Sequence, residues 1–295
     1  MKRAIPLLLV ALAGCAGPVA PGGGGPAPRT IVSTNPCADA MLVELVAPER
    51  IAAISHYSVR AEASSMPLAV ARRFATTAGT AEEVIGLHPD LVVTSSFTPP
   101  ATLAAYRQAG LKVLTLDSPT TITASEAQIR VLAAAVGAQS EGEAMVERIE
   151  RAVTASSLPR RRPGPSIGPD VAGLPPSPGK GNEPTALLFI AGDLANGSGT
   201  LLDELMTRAG LRNAAADYGL RFTGTLPIET IAAHPPRVIL APDASRTATL
   251  RSRVLARTGA TVAQEYFPRK LVNCGGPSIV PALERLAQVR RSLTS

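Results

Sequence analysis

Residues 83–94 read EVIGLHPDLVVT and residues 229–240 read ETIAAHPPRVIL. The two align without a gap as Glu-x-Ile-x-x-His-Pro followed by an apolar run. Each reads as a short helix leading into a buried strand. A phrase this short decides nothing alone, so its surroundings carry the reading.

Around the first copy, short β-branched runs alternate with helical stretches. Residues 30–34 (TIVST), 50–55 (RIAAIS), 90–96 (DLVVTSS) and 112–116 (KVLTL) read as strands. Residues 37–46 read as a helix entered through Asn35-Pro36, and 80–87 and 100–110 as further helices. Around the second copy the alternation restarts: strand 185–192, helix 197–210, short helix 229–234, strand 237–242, and a closing helix 278–293. Strands alternating with helices imply a parallel sheet with helices on its faces. The expectation is an α/β protein of two similar lobes, with the repeated phrase used as one βαβ step in each.

Between the halves lie two helices that read as opened by capping boxes, Ser125-x-x-Gln128 and Ser140-x-x-Glu143. The second carries Met145, Ile149, Ala152 and Val153 along one stripe. Residues 156–184, from SSLPRRRPGP to GKGNEP, hold almost nothing apolar to bury and read as a disordered, Pro-rich insertion.

The start of the chain is of another kind. MKRAIPLLLVALAGC, residues 1–15, has a basic opening, a short apolar core and small residues before Cys15, which reads as a secretory signal. Leu12-Ala13-Gly14-Cys15 also resembles a bacterial lipobox, in which the cysteine thiol takes a diacylglyceryl group. Acyl chains contribute ~0.8 kcal/mol per buried CH₂, enough together to hold a protein at a membrane surface. The alternative is an ordinary secreted protein with Cys at its cleavage point. Residues 16–29 form a Gly/Pro tether. The net charge of +6 over 295 residues is spread without a basic stripe interleaved with aromatics, which argues against nucleic-acid binding.

The segments from residue 31 to 55, AEEVIGLHPDLVVTSS, GLKVLTLD, GTLLDELMTRAGLRNAAA and CGGPSIVPALERL together resemble the Fe³⁺-siderophore, haem and cobalamin substrate-binding proteins of ABC importers. The resemblance runs from Arg29 to the end apart from the Pro-rich insertion. It implies mainly parallel sheets in two lobes, 30–139 and 185–295, bridged by one long helix over 140–155, with a ligand cleft between them. It also implies no catalysis and no cofactor of the protein's own. The cargo would be a metal chelate, and the partners a permease with its ATPase subunits. The protein would be a periplasmic monomer, held to a membrane through Cys15. Family members dock on the permease through a surface Glu from each lobe. Glu82 and Glu229 match that role, whereas Glu83 has a local task in the capping box Thr80-x-x-Glu83.

Ligands of parallel α/β sheets sit beyond the carboxyl ends of the strands. That rule selects Asn35, Cys37, His56, Tyr57, Ser58, Ser95, Ser96, Phe97 and Asp117 in the first lobe. In the second it selects Asp193 through Ser198, including Asn196, then Asp243, Ser245, Asn273 and Cys274. Tyr57 and Phe97 supply stacking faces for a flat chelate, or else pack on neighbouring loops. His56 is a hydrogen-bond donor, an axial ligand to a chelated metal, or a loop histidine satisfied locally. His88 and His234 precede their strands and so lie at the opposite end. Cys37 and Cys274 are an even pair in an oxidising compartment: a disulfide between lobes, free thiols, or ligand contacts.

Residues 192–200, GDLANGSGT, lack the Lys of a phosphate loop and do not match Gly-x-Ser-x-Gly, so nucleotide binding and a hydrolase elbow find no support. Thr200 reads as the cap of the following helix, whose N-terminal amides could meet an anionic ligand group. The rival reading is an exported α/β enzyme or chelate-processing protein, which needs a nucleophile beside a base or a clustered metal site.

Overall fold

The computed structural model describes residues 26–156, 183–242, 246–257, 259 and 261–293. Cys15, Asp243, Ser245 and nearly all of the Pro-rich segment lie outside the described residues.

The first half builds five strands: β1 (Ile31–Ser33), β2 (Ile51–Ser55), β3 (Thr76–Thr77), β4 (Leu91–Ser95) and β5 (Val113–Leu116). They order as β3-β2-β1-β4-β5, every pair parallel. Four helices connect them: α1 (Pro36–Leu45), α2 (Leu68–Ala71), α3 (Ala81–Gly86) and α4 (Pro100–Gln108). Strand β1 is buried along its whole length, as expected of a parallel strand covered on both faces. Two longer helices follow, α5 (Ile122–Val136) and α6 (Gln139–Ser156).

The second half contains β6 (Thr185–Ala191), β7 (Leu194–Asn196), β8 (Arg212–Asn213), β9 (Thr223–Thr225), β10 (Val238–Ala241) and β11 (Ala263–Tyr266). Its helices are α7 (Leu201–Arg208), α8 (Ile228–Ala233), α9 (Arg246–Arg257) and α10 (Ile279–Ser292). The strand order is β11-β10-β6-β7-β9, with β8 also paired to β6. The run β6-β10-β11 is parallel and corresponds to β1-β4-β5 in the first half. The repeated phrase supplies α3 and β4 in one half and α8 and β10 in the other, the same step each time. The antiparallel strands β7 and β9 were not foreseen. Gly192, at φ 51, and Asp193 form the tight turn that reverses the chain after β6.

Side chains alternate across each strand. Ile31 and Leu188 enter one continuous core together with Leu42, Ile129, Met145, Leu205 and Leu286 from the helices. Val32 and Val92 face the other way, onto Tyr106 of α4, and Leu187 and Phe189 onto Ile231 of α8. The two sheets therefore share a helical layer, and their connection is broader than one rod. Helix α6, about 27 Å long at 1.5 Å per residue, packs against α5, α1 and α10 within it.

Two helix starts differ from the sequence reading. Thr121 caps α5 by accepting the Ala124 N–H at 3.0 Å. Ser125 instead sits buried inside the first turn, where its Oγ accepts the Gly276 N–H at 2.7 Å. Helix α6 begins one residue before Ser140, whose hydroxyl donates to Glu141. At α5 the hydroxyl residues Thr120, Thr121, Thr123 and Ser125 crowd the start and the pattern does not say which lies at the boundary; at α6 the helix has already begun at Gln139, ahead of its nearest hydroxyl residue.

Gly142 lets α6 approach α5, since a Cβ there would run into the Ala133 methyl. Among the described residues no helix is long and apolar enough to cross a membrane. Replacing Gly142 with Leu should lower the unfolding free energy by about 1–3 kcal/mol through overpacking. A fall in denaturant midpoint at constant slope checks this, and adding Ala133→Gly should recover part of it.

Candidate functional site

Strands β1 and β4 are neighbours whose onward connections leave in opposite directions, β1 toward β2 and β4 toward β5. Parallel sheets open a crevice at such a switch point. Asn35 fills its floor. The side-chain oxygen accepts the Cys37 N–H at 2.9 Å, capping α1, and the amide nitrogen donates to the Thr94 carbonyl at 3.4 Å. A single residue thus starts the helix and joins the ends of both strands.

Above this floor lies a cavity of about 830 Å³ lined by residues of both halves. Of the expected residues, Asn35, Cys37, Tyr57, Ser95, Phe97, Asp117, Asn196, Asn273 and Cys274 line it. His56, Ser58, Ser96 and Asp193 do not. His56 turns its Nδ1 to the Thr77 carbonyl at 3.2 Å, and its ring lies 4.0 Å from that of Tyr57. Asp193 lies 3.8 Å from Arg251.

Ser58 is fully buried and donates to Asp39 Oδ2 at 2.6 Å, and the Ser55 N–H donates to the same oxygen at 2.9 Å. These bonds tie the turn His56–Val59 to α1 and hold Tyr57 at the cavity. Burial pushes the Asp39 carboxyl up to about 7, only partly offset by hydrogen bonds to it. The strand-end rule counts positions but not facing, so it swept up these supporting residues with the lining ones.

The chain has no Trp and only four Tyr and five Phe. Three of these rings stand exposed in the cleft: Tyr57 at 46%, Phe97 at 80% and Phe222 at 58%. Apolar rings left in water inside one concavity mark a place for a ligand. Phe222 escaped the sequence reading because no strand was read there, and in the structure it precedes the unforeseen β9. Its φ of 60° is left-handed, a conformation that costs a non-glycine residue about 1–2 kcal/mol. Pairing holds it there: its N–H donates to the Ser198 carbonyl at 2.8 Å, and its carbonyl accepts the Gly197 N–H. Gly197 is required for this approach, since a Cβ would meet the Phe222 carbonyl oxygen. An aromatic between Gly219 and Gly224, in a chain so poor in rings, was the available signal.

Cys37 and Cys274 are joined in a disulfide, with 5.3 Å between their Cα atoms. Of the readings left open, the cross-link is the one formed, and both residues also line the cavity. It ties the start of α1 to the segment before α10, which the Ser125–Gly276 bond fastens again.

Glu82 and Glu229 are exposed near the starts of α3 and α8, with no hydrogen bond or ion pair among the described residues. Glu83 has the local role expected of it. Its N–H donates to Thr80 Oγ1, and its carboxylate accepts the Thr77 hydroxyl and the Ala78 N–H, each at 2.7 Å. His88 lies away from the cavity lining, its Nδ1 2.9 Å from the Gly86 carbonyl. Among the described residues no group of three or more His, Cys, Asp or Glu is placed to hold a metal ion.

Residues 31–157 match the family model described as Periplasmic binding protein. No curated protein matches the sequence. Among solved structures, the periplasmic heme-binding protein RhuT from Roseiflexus sp. RS-1 superposes with a TM-score of 0.69 at 24% identity, over 90% of this chain and 99% of that one. The periplasmic heme-binding protein HutB of Vibrio cholerae gives 0.68 at 17% identity, over 88% and 98%. The periplasmic vitamin B12 binding protein BtuF of Vibrio cholerae gives 0.64 at 17%, over 91% and 99%. At these identities the likeness is one of fold, and it extends through both sheets.

Three outcomes follow from the site's geometry. Cys37 and Cys274 should take up an alkylating agent only after reduction, as read by peptide mass. Replacing both with Ala should cost about 2–5 kcal/mol of stability. Asp39 keeps its proton in the folded protein up to about pH 7, against an ordinary value of 3.8. Its contribution to stability is therefore full at low pH and is lost as pH rises through about 7. The unfolding free energy from denaturant titration should fall between about pH 5 and about pH 8 by about 1–3 kcal/mol more in the wild type than in Asp39→Asn.

Proposed function

We propose that this protein is the substrate-binding component of an ABC importer, taking a metal chelate into the cleft and delivering it to a membrane permease. The cleft carries this reading: it opens at the switch point of a parallel sheet, is closed by loops of a second sheet, and presents three exposed aromatic rings. A flat chelate laid on those rings would cover apolar surface on both of its faces. The family match over residues 31–157 and the fold shared with periplasmic heme- and B12-binding proteins support the same role.

The shared helical core bears on how such a protein works. A core continuous through both halves permits only small changes in their separation, so the cleft is largely formed before cargo arrives. The disulfide at its floor limits opening further. Export and a lipid on Cys15 would keep the protein, as a monomer, in the periplasm beside its permease and raise the local concentration of loaded cargo. Glu82 and Glu229, exposed and free of partners among the described residues, would meet arginines of the permease in charge-assisted pairs. Hydrolysis of ATP belongs to the permease's ATPase subunits. The rival reading, an exported enzyme, needs a nucleophile beside a base; the cleft offers ring faces, amides, hydroxyls and the carboxylates of Glu62 and Asp117, and ring faces with amides suit recognition.

Protein isolated from its own cells should carry one chelate per chain, seen by native mass spectrometry and visible absorption. Turnover of the chelate in place of retention would favour the enzyme. Replacing Glu82 and Glu229 together with Lys should cut uptake into cells by ~10-fold or more while cargo affinity is unchanged. Uptake at the wild-type rate would remove the docking assignment.

A further inference from the structure

The Cys37–Cys274 bond lies at the surface of the cavity and not inside the core. Both cysteines line the cavity, and Cys37 is only partly buried. Their neighbours Asn35, Pro36, Asn273 and Gly275 line it as well. A thiol that enters the cavity therefore reaches the bond without the fold having to open. Disulfides exposed in this way are the ones that exchange with thiols.

The surroundings of the pair suit its reduced form. Cys37 is the second residue of α1, where the positive end of a helix stabilises a thiolate. The Asn273 carbonyl oxygen lies 3.7 Å from Cys37 Sγ, placed to accept the hydrogen of a freed thiol. Cys274 is 8% exposed, and its carbonyl accepts the Ser278 hydroxyl at 2.6 Å.

We propose that this bond is a thiol–disulfide exchange site that takes a dithiol reductant from the cavity. Its state sets how firmly the second half's wall of the cleft is held. One thiolate of the reductant attacks Cys37 Sγ, on the more exposed of the two residues. A new S–S bond forms there, the Cys37–Cys274 bond breaks, and Cys274 leaves as a thiolate. The reductant's second thiolate then closes on its first sulfur, and Cys37 leaves as a thiolate at the start of α1. Two electrons pass from the dithiol to the protein. The two protons that the reductant loses on ionising are the two that the cysteines take up.

The wall concerned is Val272 to Gly275, all of it lining the cavity. Once the bond is open, two hydrogen bonds from this stretch and its next residue to the first half remain among the described residues. The Gly276 N–H donates to Ser125 at 2.7 Å, and the Asn273 side chain donates to the Glu62 carbonyl at 3.5 Å. Exchange of this kind needs an accessible bond and does not depend on which cargo the cavity accepts.

The oxidised full chain, mixed with dithiothreitol at a series of concentrations and quenched with iodoacetamide, tests this by peptide mass. Alkylation of Cys37 and Cys274 should rise in rate in proportion to dithiothreitol. It should exceed the unfolding rate from denaturant jumps by ~10-fold or more. A rate that levels off at the unfolding rate overturns the inference, since the bond then opens only with the fold. 2-Mercaptoethanol, which cannot complete the second step, should be trapped on Cys37 with Cys274 alkylated. Capture on Cys274 instead overturns the order of attack. On reduction, amide hydrogen exchange of residues 272–275 should quicken by ~10-fold while that of Ile149 in the shared core stays as it was. Unchanged protection at 272–275, or equal loss at Ile149, overturns the control of the cleft wall.

Discussion

The constraint on which the molecule depends is that neither sheet can cover its inner face alone. Each has outer helices for one side, α4 or α8 among them, and must find apolar cover for the other. Both use the same helices, so Ile31 of one sheet and Leu188 of the other end in a single core with α1, α5, α6, α7 and α10. That sharing sets the distance between the two groups of strand-end loops. The cleft is the space this distance leaves, and its width follows from helix packing more than from anything in its lining.

Within that frame, the site is held by polar groups buried behind it. Asn35 joins the ends of β1 and β4 while starting α1. Asp39, one turn further along α1, holds the Ser55–Ser58 turn and so presents Tyr57. Gly197 and Ser198 keep Phe222 in its left-handed turn. On the remaining side, the disulfide and the Ser125–Gly276 bond fix the segment before α10. Three rings come from three separate loops: Tyr57 and Phe222 have the anchors just given, and the Thr98 N–H, donating to the Ser95 carbonyl at 3.0 Å, closes the turn that carries Phe97. A site meant to accept a rigid, flat ligand gains from such preorganisation, because little ordering remains to be done on binding.

The cleft and its rim carry charge of both signs. Beside the cleft, the Arg60 and Arg221 guanidiniums stand 5.4 and 5.9 Å from the ring centres of Tyr57 and Phe222, outside the cavity lining. The lining keeps two carboxylates and neutral groups. Net charge therefore says little about what the cleft accepts.

The sequence by itself determined the doubled α/β plan, most of the strands, the helix caps at Asn35, Thr80 and Thr200, and the strand-end loops from which a cleft would be built. These follow from local periodicity, from single residues at helix starts and from the rule of parallel sheets, all legible along the chain. Tertiary structure decided the rest. Whether Cys37 meets Cys274 depends on bringing together residues 237 apart in sequence. That Ser58 supports the site while Tyr57 faces it depends on which way one short turn is pulled by a buried carboxylate. Phe222 enters the cleft only because a glycine elsewhere lets its backbone approach. Facing and convergence are set by packing between distant segments, and no local pattern encodes them.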